Sequence, residues 1–125
     1  MSKIIVQASL MMTIIFSQSA RADDPLPAVV AKQCTPTEVA IFFDSRFHIK
    51  CSRALQVGRY GDVDIYYFSI STDDPDDLNY ALNIATSAIV AGKRLTLWVK
   101  TSSSGNPSGC QSSNCRRLTG ITLLD

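Results

Sequence analysis

Two short stretches alternate with a period of two. In Arg46–Cys51 (RFHIKC), Phe47, Ile49 and Cys51 fall on one face, and Arg46, His48 and Lys50 on the other. In Leu95–Lys100 (LTLWVK), Leu95, Leu97 and Val99 fall on one face and Trp98 on the opposite one. Both predict strands with one buried side. Thr37–Phe43 (TEVAIFF) is rich in β-branched and aromatic residues and meets Arg46–Cys51 across the turn signal Asp44-Ser45, which predicts a hairpin. Val63–Ile70 (VDIYYFSI) is apolar on both faces, as expected of a central strand. Leu118–Leu124 (LTGITLL) supplies a fifth strand.

Between the third and fourth strands the period changes to that of a helix. Leu78, Ala81, Leu82, Ala85, Ala88 and Ile89 recur on one face. Asp74 before Pro75 reads as an N-cap with proline at the first helical position, and Asp76 and Asp77 complement the helix dipole. Gly92 reads as the C-cap. Asp23–Gln33, with Pro25 and Pro27, reads as a loose arm, and Val57–Asp62 and Thr101–Asn114 as connections. The expected architecture is mainly β: a five-stranded OB-fold barrel with its helix between strands 3 and 4.

The N-terminus changes the chemical setting. Lys3, the apolar run Ile4–Phe16, which is too short to be a stable membrane span, and the small-residue end Ala20-Arg21-Ala22 are the three parts of a secretory signal peptide over residues 1–22. Cleavage after Ala22 leaves a single domain over residues 23–125. Loss of Lys3 and Arg21 leaves ten basic residues against eleven acidic, a net charge of −1. That balance argues against a nucleic-acid binder driven by a basic surface. The expected location is exported, periplasmic or secreted.

Export decides how the four cysteines are read. An even count in a small exported chain predicts two disulfides, with three possible pairings. Folding the hairpin about Asp44-Ser45 brings Cys34 to Cys51, leaving Cys110 for Cys115. A four-thiolate zinc site is the competing reading, disfavoured by an oxidising compartment. The spacing of Cys110 and Cys115 is not that of a C-x-x-C redox pair.

Other candidate chemistry is sparse. His48 is the one histidine, lies on the polar side of its strand with no local nucleophile motif, and reads as a surface residue. The acids Asp73–Asp77 lack the Gly and distant Glu of an EF-hand loop and are accounted for by helix capping. No metal, cofactor or catalytic set is expected, and the chain reads as a binding module rather than an enzyme. Lectin sites combine an aromatic platform with short polar side chains, which makes Trp98 and Tyr66 candidates for glycan contact.

The run Asp77–Val99 (DLNYALNIATSAIVAGKRLTLWV), the short Cys110–Cys115 loop and the terminal LTGITL strand resemble the binding (B) subunits of AB-type pentameric bacterial toxins. Within them the likeness is to the group of the subtilase cytotoxin B subunit and its typhoid-toxin and pertussis-toxin relatives. The resemblance covers about Tyr67 to Leu123. It implies an OB-fold, assembly as a homopentamer carrying a catalytic toxin subunit, and recognition of sialylated glycans on host cell surfaces. It places Thr35 or Thr37 where those subunits carry a glycan-contacting serine. It also places Asn79, Tyr80, Asn83, Thr86 and Ser87 of the helix along the pore of a ring. The chain departs from the family in having TSSSGNPSG where an aromatic stretch is expected, and in having Cys34 ahead of its first strand. The alternative from a different class is a monomeric or dimeric periplasmic binding or inhibitor protein of the same fold.

Overall fold

The computed structural model describes residues 27–58 and 63–125. The expected signal peptide and part of the Val57–Asp62 connection lie outside them. The elements in chain order are β1 (Val29–Cys34), β2 (Pro36–Phe42), β3 (Arg46–Gln56), β4 (Asp64–Ser71), α1 (Pro75–Ala91), β5 (Leu95–Lys100) and β6 (Cys115–Leu123).

The expected five-stranded OB barrel is not what forms. The chain makes a six-stranded mixed sheet in the order β1-β5-β6-β4-β3-β2, with the helix after the fourth strand. The added strand is β1, in the segment read as a loose arm. The prolines end before it, and from Val29 onward every N–H is free to join a ladder with β5, Val30 facing Val99 and Cys34 facing Leu95. Lys32 and Gln33 obscure its apolar alternation. All pairings are antiparallel except β4 with β6, where Tyr67–Ser69 run alongside Cys115–Arg117.

The two edge strands of this order, β1 and β2, are consecutive in the chain and separated by Thr35 alone. The sheet therefore curls. The Cys34–Cys51 disulfide ties the end of β1 to β3, and the Ser52 N–H donates to the Thr35 carbonyl at 2.8 Å. Inside the curl lies one apolar cluster built on Phe47, Ile49, Ile65, Phe68, Leu95, Leu97 and Val99, each with no exposed surface. The alternation read for β5 holds, with Trp98 38% exposed. In β4 strict alternation fails: Ile65 and Phe68, three residues apart, both reach the core. A register shift explains this, since β3 advances from Lys50 to Leu55 while β4 moves only from Tyr67 to Ile65.

The helix follows its sequence signals. The Asp74 carboxylate accepts from the N–H groups of Asp76 (3.2 Å) and Asp77 (3.1 Å), and Gly92 closes the helix in the left-handed conformation at φ 65°. It packs on β2 and β6. Its packed face follows the sequence stripe, with Ala81, Ala85 and Ala88 buried and Leu78 and Leu82 partly buried against the core, while Ile89 is exposed. Asn79, Tyr80, Asn83, Thr86 and Ser87 are all exposed.

Candidate glycan cleft

The register shift in β3 positions the candidate site. Ser52, Arg53 and Ala54 lie in the stretch where the β3–β4 ladder is interrupted, and they turn toward the junction of β1 and β2. There, Gln33, Thr35, Ser52, Arg53 and Arg94 line an open cleft of about 500 Å³, with the Cys34–Cys51 disulfide and Leu55 in its wall. Arg94 enters from the start of β5. Its backbone carbonyl accepts from the Leu124 N–H at 2.9 Å, and its Nη1 donates to Gln33 Oε1 at 2.8 Å. Among the described residues neither Arg53 nor Arg94 has a carboxylate within ion-pair distance. Two guanidinium groups in one cleft present planar sets of donors that match a carboxylate bidentately. Thr35 and Ser52 add hydroxyls that donate and accept.

The sequence-predicted residues do not converge. Thr35 lines this cleft. Thr37 lies on β2 beyond the buried Pro36, exposed, with its hydroxyl donating to the Lys50 carbonyl at 3.4 Å. Tyr66 is 39% exposed and its N–H donates to Asn114 Oδ1 at 3.3 Å, which puts it beside the Cys110–Cys115 loop. Trp98 sits on β5 opposite Gly120, whose missing Cβ gives the indole its seat; a Cβ there would stand 3.2 Å from the ring. The exposed tryptophan therefore has a packing partner in its own chain.

All four cysteines are joined as Cys34–Cys51 and Cys110–Cys115, with Cα atoms 5.4 and 5.2 Å apart. No thiolate remains for a metal. The two disulfides are consistent with export. No helix of the described residues is long and apolar enough to cross a membrane.

Three polar side chains carry roles that the sequence conceals. His48 is 7% exposed rather than on the surface, because the long loop after β5 folds over the outer face of β3. Its Nε2 lies 2.8 Å from Glu38 Oε1, and its ring stands between those of Phe42 and Tyr67. Arg116 is also 7% exposed. Burial pushes its guanidinium below the ordinary arginine value, and Nη1 donates to the carbonyls of Ser112 and Cys115, capping the disulfide loop. Arg53 lies beyond the strand expected from the sequence, and the extension of β3 to Gln56 with its register shift brings it to the cleft it shares with Arg94. No family model matches the chain, and comparison with curated proteins and with solved structures yields no match, so nothing identifies it as a toxin binding subunit.

Proposed function

We propose that the mature chain is an exported binding module that recognises acidic glycans of the cell surface through the Thr35–Arg53–Arg94 cleft. The observation that carries this reading is that Thr35, singled out by the resemblance, shares an open cleft with two arginines that have no carboxylate partner among the described residues. Arginine supplies the charge for a sugar carboxylate; Thr35, Ser52 and Gln33 supply short polar partners for ring hydroxyls. A volume of about 500 Å³ lies within the range of small-ligand sites and suits a terminal sialic acid with its linkage. Assembly as a homopentamer around a catalytic subunit is the arrangement the toxin resemblance implies. Binding rather than catalysis is favoured by the surroundings of His48. Ser69 lies across the ladder from it, but the Ser69 hydroxyl is fully buried and pairs with Cys115 Sγ at 3.2 Å. The experiment is a glycan array probed with the disulfide-bonded mature protein, alongside sedimentation at micromolar concentration. Selective signal on sialylated glycans is expected; no signal on any glycan refutes the reading, and a monomer refutes the ring.

A further inference from the structure

A second cleft lies elsewhere on the molecule, between the outer face of β3 and β4 and the disulfide-closed loop. We propose that it is a binding site for a small carboxylate that also carries an amide or hydroxyl group. Arg46, His48, Tyr67, Gly109, Gln111 and Asn114 line it. Its volume of about 250 Å³ equals roughly eight waters at about 30 Å³ each, the size of a small metabolite or the end of a larger molecule.

The positive charge is built in and held. The Arg46 guanidinium carbon stands 4.1 Å over the Phe42 ring, and Nη1 is 3.5 Å from Ser45 Oγ. Ser45 in turn donates to the Ser108 carbonyl at 3.0 Å. Gly109, at φ +82°, makes room for the guanidinium, because any Cβ at that position would overlap it. Among the described residues Arg46 has no carboxylate within ion-pair distance. Glu38, on the neighbouring strand, is engaged by His48 at 2.8 Å. An arginine fixed by an aromatic ring and a glycine, and not paired with an acid, is an anchor for an anion.

The rest of the lining favours an organic carboxylate over a bare ion. Asn114 Oδ1 is committed to the Tyr66 N–H, which leaves its amide nitrogen as a donor. Gln111 is exposed and offers both donor and acceptor. The Tyr67 ring supplies a flat apolar contact.

Gly109, Gln111 and Asn114 belong to or adjoin the Cys110–Cys115 loop, so the disulfide fixes this half of the site. Asn106 Nδ2 reinforces it by donating to the carbonyls of both Cys110 (3.2 Å) and Cys115 (3.1 Å). The site is independent of the glycan cleft, with which it shares no lining residue.

The test is a titration of the isotope-labelled mature protein followed by amide NMR. N-acetylglycine represents a peptide-type carboxylate, N-acetylneuraminic acid an acidic sugar, and N-acetylglycinamide the same amide without the charge. Saturable shifts of Gly109, Gln111, Asn114 and Tyr67, separate from any shifts of Thr35, Ser52 and Arg53 in the glycan cleft, are expected with at least one of the two acids and not with the amide. Which acid binds more tightly identifies the source of the carboxylate. Arg46→Gln is expected to weaken binding at least tenfold. Gln111→Ala, an exposed change, is expected to weaken it several-fold, and Arg53→Gln to leave the N-acetylglycine shifts of Gly109, Gln111 and Asn114 unchanged. Equal shifts with the uncharged amide, shifts that never saturate, or full binding by both Arg46→Gln and Gln111→Ala would overturn the proposal.

Discussion

Replacing Cys34 and Cys51 together by alanine removes the tie between β1 and β3 where the two edge strands meet. The pair closes a loop spanning a sequence separation of 17. Chain entropy alone then gives a loss of about 3 kcal/mol at 25 °C, against about 2 kcal/mol for the Cys110–Cys115 pair, whose separation is 5. Both Cys34 and Cys51 are buried in the core cluster, so truncation also removes packed sulfur. For a domain of this size a loss of about 3 kcal/mol lowers Tm by roughly 12–20 °C. The assay is urea and thermal unfolding of the oxidised wild type, Cys34→Ala/Cys51→Ala and Cys110→Ala/Cys115→Ala. The first variant should be the less stable of the two and should lose hydrogen-exchange protection along β1 first. A cost under about 1 kcal/mol, or unchanged protection in β1, refutes the view that this tie holds the curl of the sheet.

Three further outcomes follow from local geometry. Asp74→Ala removes the acceptor for two helix N–H groups and should cost about 1 kcal/mol in urea unfolding, with Asp74→Asn costing less. Gly109→Ala should displace the Arg46 guanidinium from Phe42 and raise mobility in the Cys110–Cys115 loop, seen as altered amide shifts of Gln111 and Asn114, because the new Cβ overlaps Arg46 and the φ is positive. Arg116→Ala removes the side-chain donor to the Ser112 carbonyl and one of the two to the Cys115 carbonyl and should destabilise by about 2 kcal/mol, with exchange protection lost in residues 112–115.

Features set by neighbours in sequence were legible, and those set by distant segments were not. Asp74, Pro75 and Gly92 mark the helix ends because capping is local chemistry. Both disulfides were legible, one from the hairpin and the other by remainder. Leu95, Leu97 and Val99 were read as buried because β5 lies over the core on one face only. β1 escaped because its pairing partner lies some 65 residues away and two of its six residues, Lys32 and Gln33, are polar. His48 and Arg116 look solvated in sequence, and each is buried by the long loop that follows β5. The helix stripe was legible from Leu78 to Ala88, with Ala81, Ala85 and Ala88 buried and Leu78 and Leu82 packed against the core; Ile89, in the last turn, lies outside it. Thr35 was marked by resemblance, whereas its arginine neighbours became visible only once a register shift in β3 and the start of β5 met at the curl.

The proposed recognition of an acidic glycan rests on Arg53 and Arg94 in one cleft. The most direct measurement is calorimetric titration of the disulfide-bonded mature protein with a sialylated trisaccharide and its desialylated counterpart, repeated with Arg53→Gln. Arg53 is exposed, so the variant should fold normally. Expected are binding of the sialylated sugar, none of the desialylated one, and a loss of at least about tenfold in Arg53→Gln, as a charge-assisted hydrogen bond is worth roughly 1.5–3 kcal/mol. Equal binding of both sugars, or unchanged affinity in Arg53→Gln, would contradict it.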